Sequence, residues 1–150
     1  MNLRSLTMVG AMLLLAACAT GQSSSTTSGN AAPGSREDFV QNVGDRVFFD
    51  FDKSDIKPEG QQTLQRQATW LKKYASVKVT VEGHCDDRGT REYNLALGNR
   101  RANAVKRALV ALGIDSGRIT TISYGKERPA VVGDNEAAWA QNRRGVTVIN

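Results

Sequence analysis

The sequence predicts an α+β domain, a two-layer sandwich in which two main helices pack on one face of a four-stranded mixed sheet. Residues 77–82 alternate apolar and polar side chains, as in a strand with one buried face. Two longer segments repeat their apolar residues every three or four positions, which is the period of a helix. In chain order the segments run β-α-β-α-β-(α)-β, and a two-layer sandwich is the simplest way to bury their apolar faces.

The first strand and the first helix are predicted between residues 46 and 74. Residues 46–51 (Arg-Val-Phe-Phe-Asp-Phe) are rich in strand-forming side chains. A polar loop follows at 52–55, and Pro58 suits the first turn of a helix. The apolar residues that place this helix over about 57–74 are Leu64, Ala68, Leu71 and Tyr74 or Ala75.

The second helix is predicted over about 91–112, after the alternating strand and a polar loop at 83–90 that is bracketed by glycines. Its apolar stripe has spacings of 3, 4, 3, 4 and 3 and consists of Leu95, Gly98, Ala102, Val105, Leu109 and Leu112. Gly113 then suits a C-terminal cap.

The remainder of the chain predicts two more strands and a short helix. Residues 119–123 and 146–149 are rich in β-branched side chains and form the third and fourth strands. Between them lies a loop that contains Gly125, Pro129 and Gly133. A short helix is expected after this loop, around residues 136–141.

The N-terminal segment has the pattern of a bacterial lipoprotein signal. In residues 1–17 one cation, Arg4, precedes an apolar stretch that is too short to span a bilayer permanently. The sequence Leu-Ala-Ala-Cys at 15–18 resembles the lipobox, in which the cysteine is acylated and the preceding peptide is removed. An ordinary apolar run is the alternative, but the motif ends a signal-like segment. We therefore expect Cys18 to carry the lipid.

The chain is thus expected to have three parts: a signal peptide (1–17), a lipidated Cys18 with a flexible tether (18–36), and a folded domain (37–150). Residues 19–36 contain no aromatic or branched aliphatic side chain, so they cannot bury enough apolar surface to become ordered. Fully stretched, such a tether spans at most about 60 Å. Ala19, directly after the cysteine, favours the outer membrane by likeness to bacterial lipoproteins.

Composition excludes few functions, whereas the motifs exclude more. The net charge of +5 at pH 7 suits a partner such as an acidic polymer, anionic lipid or nucleic acid, and does not choose among them. The run His84-Cys85-Asp86-Asp87 contains metal-ligand types, but adjacent residues rarely close around one ion and the chain has no second histidine. There is no nucleophile motif and no phosphate-binding glycine loop. We expect no metal, no cofactor and no enzymatic activity.

Charge placement around the second helix suggests a receptor for a zwitterion. At 100° per residue, Arg101 borders the buried stripe whereas Arg100 points away from it. Asp86 lies in the loop that leads into this helix, so an ammonium on Asp86 and a carboxylate on Arg101 are compatible. Three alternatives stay open: Asp86 caps backbone amides, Arg101 pairs with a buried carboxylate (Asp50 or Asp52), and Arg143-Arg144 is a solvated corner.

Five stretches of the sequence resemble one known family. They are residues 49–56, 79–94, 97–102, 123–130 and 142–144, within a similarity that covers about 45–149. Together with the lipobox and tether they resemble the OmpA-like family, and within it the peptidoglycan-associated lipoproteins of the Tol-Pal system. Asn99 stands where glutamate is usual and Asp87 where glutamate is common, and neither position has a ligand-contacting role.

The resemblance implies non-covalent binding of uncrosslinked peptidoglycan stems through meso-diaminopimelate. It gives the ammonium to Asp86 and the carboxylate to Arg101, and we expect variants at either residue to lose binding with the fold intact. The other residues expected to line the pocket are Phe51, Asp52, Asn94, Leu97 and Arg144. Cys85 fills a small-residue position and is expected to be a sheltered thiol.

The resemblance also implies partners and a cellular location. The domain would face the periplasm from the outer membrane, held there by the lipid on Cys18. Its expected partners are the Tol β-propeller protein and the Tol inner-membrane complex, in cell division and envelope integrity, with no nucleic acid. The alternative is another OmpA-like lipoprotein that binds the wall and has no Tol partner.

Overall fold

A computed structural model describes residues 31–150, and within them the predicted order of helices and strands is confirmed. The elements are α1 (Arg36–Asp38), a π-helical turn (Phe39–Val43), β1 (Arg46–Phe48), α2 (Pro58–Lys73), β2 (Val79–His84), α3 (Arg91–Ala111), a 3-10 turn (Ser116–Arg118), β3 (Ile119–Gly125), α4 (Glu136–Asn142) and β4 (Arg144–Ile149). The signal peptide, Cys18 and residues 19–30 of the predicted tether lie outside the described residues.

The sheet has the strand order β1-β4-β2-β3 and is mixed, as predicted. β4 runs antiparallel to both of its neighbours, β1 and β2, whereas β2 and β3 are parallel. A parallel pair needs a crossover, and α3 provides it by packing against both of these strands. The core between the sheet and the two long helices is apolar, with Val47, Val81, Leu64, Leu71 and Leu109 among its most buried members.

Helix α3 approaches the sheet most closely where two glycines meet. A Cβ atom built on Gly83 of β2 would lie 1.7 Å from the carbonyl oxygen of Gly98 in α3. Only a residue without a side chain fits between the strand and the helix backbone here. This contact fixes how deeply the N-terminal half of α3 sits against the sheet.

The buried face of α3 differs from the predicted stripe at its N-terminal end. Leu95 is 46% exposed, whereas Asn94 and Leu97 are buried. The polar loop before α3 covers Asn94, whose amide donates to the carbonyl oxygens of Arg88 and Thr90. The buried face at this end of α3 therefore includes the side that faces the loop, while the Leu95 carbonyl still accepts a hydrogen bond from Ser123 of β3.

The folded domain begins a few residues before its predicted start at 37. The Asp38 carboxylate accepts hydrogen bonds from the Gly34 backbone (2.9 Å) and the Trp70 indole (2.9 Å), and Ser35 caps the first helical turn. Phe39 is fully buried against Trp70. The last residues assigned to the tether thus belong to the domain.

No helix within residues 31–150 is long and apolar enough to cross a membrane.

The buried ring of His84, at the end of β2, is expected to make the stability of the folded domain depend on pH. The ring is buried, its Nε2 lies 3.1 Å from Glu82, and Arg144 is its neighbour in β4. Burial and the positive charges of Arg144 and Arg128 lower the pKa of His84 to about 4, although Glu82 acts in the opposite direction.

Because the unfolded chain binds this proton near pH 6.5, the native state loses stability as the pH falls from about 6.5 to about 4. We expect the contribution of His84 to fall by about 3 kcal/mol over this window. Urea denaturation of wild type and His84→Gln at pH 7 and pH 4 measures it. A stability difference between the two proteins that stays constant with pH would contradict the assignment.

Candidate ligand-binding site

A cleft of about 170 Å³ opens where the loop after β1 meets the loop between β2 and α3. Its lining contains six of the seven residues that the sequence analysis assigned to a binding pocket, Asp86, Arg101, Phe51, Asp52, Asn94 and Leu97. Four further residues complete it, Cys85, Arg88, Gly89 and Tyr93. Arg144 is not part of this lining.

Arg101 forms the floor of the cleft and is fully buried. Its guanidinium donates to three backbone carbonyls, those of Lys53 (2.8 Å), His84 (2.9 Å) and Asp50 (3.0 Å). A guanidinium has five N–H groups, so these carbonyls account for three of them, and no carboxylate within residues 31–150 accepts a hydrogen bond from the other two. Burial lowers the pKa of Arg101, yet arginine stays protonated in proteins. The cleft therefore contains a permanent buried cation with donors to spare.

The alternative in which Arg101 pairs with a buried carboxylate is wrong. The Asp50 carboxylate is exposed and lies 3.2 Å from Lys57, and the Asp52 carboxylate accepts from the Tyr93 hydroxyl. Arg101 binds backbone carbonyls instead, so its charge is not neutralised by either aspartate. Its neighbour Arg100 is exposed, as the helical geometry predicts.

Asp86 supplies the opposite charge and is 4% exposed. Its carboxylate accepts two side-chain hydrogen bonds from Arg88 (2.7 and 3.2 Å) and one from the Arg88 backbone, while Arg143 lies 3.5 Å away. Burial alone would raise the pKa of Asp86, but the hydrogen bonds from Arg88 outweigh it and lower the pKa below its usual value. The capping alternative therefore describes only one of these contacts, and the carboxylate is ionised.

The sequence predicts Arg144 as a pocket residue, but in the structure its side chain lies outside the cleft. Arg144 begins β4 opposite His84, and its guanidinium donates to the carbonyls of Asn142 and Arg128, away from the cleft. The preceding Arg143 reaches Asp86 instead. Both arginines are buried, so the alternative of a solvated corner is wrong. One step along the chain at the start of a strand reverses the direction of the side chain, which explains the difference.

Arg88 is the most strongly interacting of the four cleft residues that the sequence did not predict as part of the pocket. Its guanidinium lies 3.9 Å from the ring centre of Phe51 and 4.0 Å from that of Trp139. These rings come from distant parts of the chain, so no local spacing marks the arrangement.

Asn94 and Cys85 hold the loop that carries Asp86. The Cys85 thiol is buried and donates to the Asn94 carbonyl at 3.2 Å, and burial raises its pKa to about 11. The thiol is therefore sheltered, as expected. No cluster of three metal-ligating side chains occurs in residues 31–150. The cleft thus offers a buried anion and a buried cation, which is an arrangement suited to a zwitterionic group.

The fold and this cleft define a class of domain that comparison with known proteins identifies. Residues 48–143 match the model of the OmpA family, and the chain belongs to that family. It is 58% identical to the peptidoglycan-associated lipoprotein of Agrobacterium fabrum over 121 residues, which cover 81% of this chain and 68% of that protein. Identity to the Haemophilus influenzae protein of the same name is 44%, covering 95% of each. Within the OmpA family, the chain is a member of the peptidoglycan-associated lipoproteins.

Solved structures agree with this placement. The peptidoglycan-associated lipoprotein from Burkholderia pseudomallei superimposes with a TM-score of 0.72 at 40% identity, over 77% of this chain and all of that chain. The C-terminal domain of Helicobacter pylori MotB superimposes with a TM-score of 0.66 at 22% identity, over 71% of this chain and 84% of that chain. Because its sequence identity is only 22%, the likeness to the MotB domain shows the fold alone.

Proposed function

We propose that this protein is an outer-membrane lipoprotein that binds peptidoglycan non-covalently through the meso-diaminopimelate of uncrosslinked stem peptides. The observation that carries the proposal is the pairing of a buried Asp86 carboxylate with a buried Arg101 guanidinium in one cleft. The free end of a diaminopimelate side chain is a zwitterion, with an ammonium for Asp86 and a carboxylate for Arg101. The names of the relatives support peptidoglycan as the partner.

The charges of the cleft explain why a zwitterion fits better than a simple cation. Within residues 31–150 Arg101 has N–H groups that no carboxylate accepts from, so a ligand carboxylate gains charge-assisted hydrogen bonds there. Lysine has the ammonium but lacks that carboxylate. A lysine-containing stem would therefore bring apolar carbon against a buried cation.

The test is a calorimetric titration with two stem peptides that differ only in diaminopimelate or lysine at the third position. We expect the lysine peptide to bind at least 30-fold more weakly, because removing a charged partner from a buried cation costs about 2–5 kcal/mol. Equal affinities would contradict the proposal. Release of peptidoglycan fragments by the purified protein would contradict a purely binding role.

Asp86→Asn should abolish co-sedimentation with purified peptidoglycan sacculi. The substitution keeps the size of the side chain and removes the charge that receives the ammonium. Asp87→Asn is the matched control, since Asp87 is an exposed neighbour whose carboxylate accepts from the Trp139 indole. We expect this control to sediment as wild type does. Loss of binding in both variants would place the effect in the loop instead of the Asp86 charge.

The cellular part of the proposal joins this cleft to a membrane anchor. A lipid on Cys18 would hold the chain in the outer membrane, and the following tether would let the domain reach the wall. As a member of the Tol-Pal system, in cell division and envelope integrity, the protein would also bind the Tol β-propeller protein and the Tol inner-membrane complex. Co-purification with the propeller separates this from a wall-binding lipoprotein that has no Tol partner.

A further inference from the structure

Arg88 fills the part of the cleft where a ligand cation would bind. Its guanidinium donates to both oxygens of the Asp86 carboxylate, at 3.2 and 2.7 Å, which is a bidentate contact. The Phe51 and Trp139 rings lie on it at 3.9 and 4.0 Å. Such stacked contacts add to the ion pair. The guanidinium is therefore held on Asp86 by two kinds of contact at once.

Asp86 has a second cationic neighbour, but that neighbour is fixed. Arg143 is buried, donates to the Phe49 carbonyl at 2.9 Å and pairs with Glu136 at 2.7 Å. Its contact with Asp86 is the long one, at 3.5 Å. Arg88, in contrast, has a side chain that is 30% exposed at the cleft. Only Arg88 can leave Asp86 without breaking other hydrogen bonds of its side chain within residues 31–150.

We propose that Arg88 is a built-in competitor for the ligand's ammonium group: its guanidinium occupies Asp86 in the unliganded protein and must be displaced on binding. This inference rests on the proposed function and deepens it. A buried carboxylate without a cation is costly, so Arg88 keeps the empty cleft stable. On binding, the ligand ammonium replaces the guanidinium of Arg88 on Asp86, and the guanidinium moves towards solvent. Asp86 thus exchanges one charge-assisted contact for another.

The competitor also lowers the affinity of the cleft for every ligand that carries an ammonium group. Every ligand with an ammonium group must displace Arg88, and that displacement weakens all of them equally. A zwitterion recovers the loss through its carboxylate at Arg101, whereas a ligand with only the ammonium does not. Weak cationic ligands thus fall below useful affinity while diaminopimelate stays above it. Arg88 sets the level of affinity and Arg101 sets the difference between ligands.

The test is Arg88→Gln in the full chain, titrated in detergent micelles with a stem peptide that contains meso-diaminopimelate. We expect binding to tighten by roughly three- to tenfold, because the competing ion pair and stacking are lost. Arg91→Gln is the matched control, since it removes one positive charge from the same helix end, where Arg91 pairs with Glu127. This control should stay within about twofold of wild type. Unchanged or weaker binding by Arg88→Gln overturns the inference, and weaker binding would make Arg88 a ligand contact.

A second variant keeps the test valid if Arg88→Gln disturbs the loop. Trp139→Leu removes one of the two rings and leaves every residue of the cleft lining in place. We expect it to tighten binding in the same direction but less, and the double variant to bind no more tightly than Arg88→Gln alone. Additive gains in the double variant would overturn the inference. Asp87→Ala controls for the loss of the hydrogen bond that Trp139 donates to Asp87, since alanine has no side-chain acceptor.

The two proposals fail in different ways. If Asp86→Asn binds the diaminopimelate peptide as wild type does, the proposed function fails. If Asp86→Asn loses the peptide and neither Arg88→Gln nor Trp139→Leu tightens it, only the competitor role of Arg88 fails.

Discussion

Arg101→Lys is expected to abolish binding of the diaminopimelate stem peptide and to destabilise the domain by about 2–3 kcal/mol. Lysine keeps the positive charge but lacks the planar fork that reaches several acceptors at once. Three backbone carbonyls accept from that fork, those of Asp50, Lys53 and His84, and the bond to His84 is fully buried. A buried acceptor left without its donor costs about 1–3 kcal/mol. Urea denaturation and calorimetric titration of the same sample measure both effects.

This expectation corrects the one drawn from the sequence, in which variants at Arg101 lose binding with the fold intact. The guanidinium joins the loop after β1 to the end of β2, so it shapes the cleft as well as lining it. Arg100→Lys is the matched control, because Arg100 is exposed at the preceding position of α3. It should change stability by less than about 0.5 kcal/mol and leave binding unchanged. A stable Arg101→Lys variant would show that the carbonyls find other donors.

Periodic features of the sequence predicted most of the fold, because burial against a sheet imposes a regular pattern. Helix α3 is the clearest case: its spacing placed the helix within one residue of its observed end and distinguished Arg101 from Arg100. The prediction was wrong at Leu95, which is 46% exposed, whereas the neighbouring Asn94 is buried under the polar loop that leads into the helix. Helical periodicity identifies a buried face but not the element that covers it.

Contacts between distant residues account for what the sequence did not predict. The stacking of Phe51 and Trp139 on Arg88 joins the loop after β1 to α4. The hydrogen bond from Trp70 to Asp38 joins α2 to the N-terminal turn. Neither contact leaves a local pattern. The assignment of Arg144 depended on a single step at the start of β4, and such boundaries are the least predictable part of an element. The unpredicted features of the cleft are thus those that form only once the chain has folded.

Gly83→Ala is expected to destabilise the domain by about 3 kcal/mol or more. The new Cβ would lie 1.7 Å from the Gly98 carbonyl oxygen and 2.5 Å from its carbon. Because these are backbone atoms of α3, no change of rotamer relieves the contact, and the helix must move away from β2. Forced overpacking of this kind costs about 1–3 kcal/mol and occasionally more. Chemical denaturation followed by circular dichroism measures the loss.

The matched control is Gly117→Ala in the exposed 3-10 turn, where the nearest neighbour of the added Cβ is the flexible Asp115 side chain at 3.0 Å. This variant should change the free energy of unfolding by less than about 1 kcal/mol. If Gly83→Ala folds with wild-type stability, the depth of α3 is not set by the glycine contact.

The same contact links stability to binding. Gly83 directly precedes His84, whose carbonyl accepts from Arg101, and Arg101 lies on the helix that the added Cβ would displace. Moving α3 away from β2 draws the guanidinium away from this acceptor and from the Asp86 loop. We therefore expect the residual folded fraction of Gly83→Ala to bind the stem peptide more weakly than wild type. Normal affinity in that fraction would mean that Arg101 keeps its place through the loop carbonyls of Asp50 and Lys53 alone.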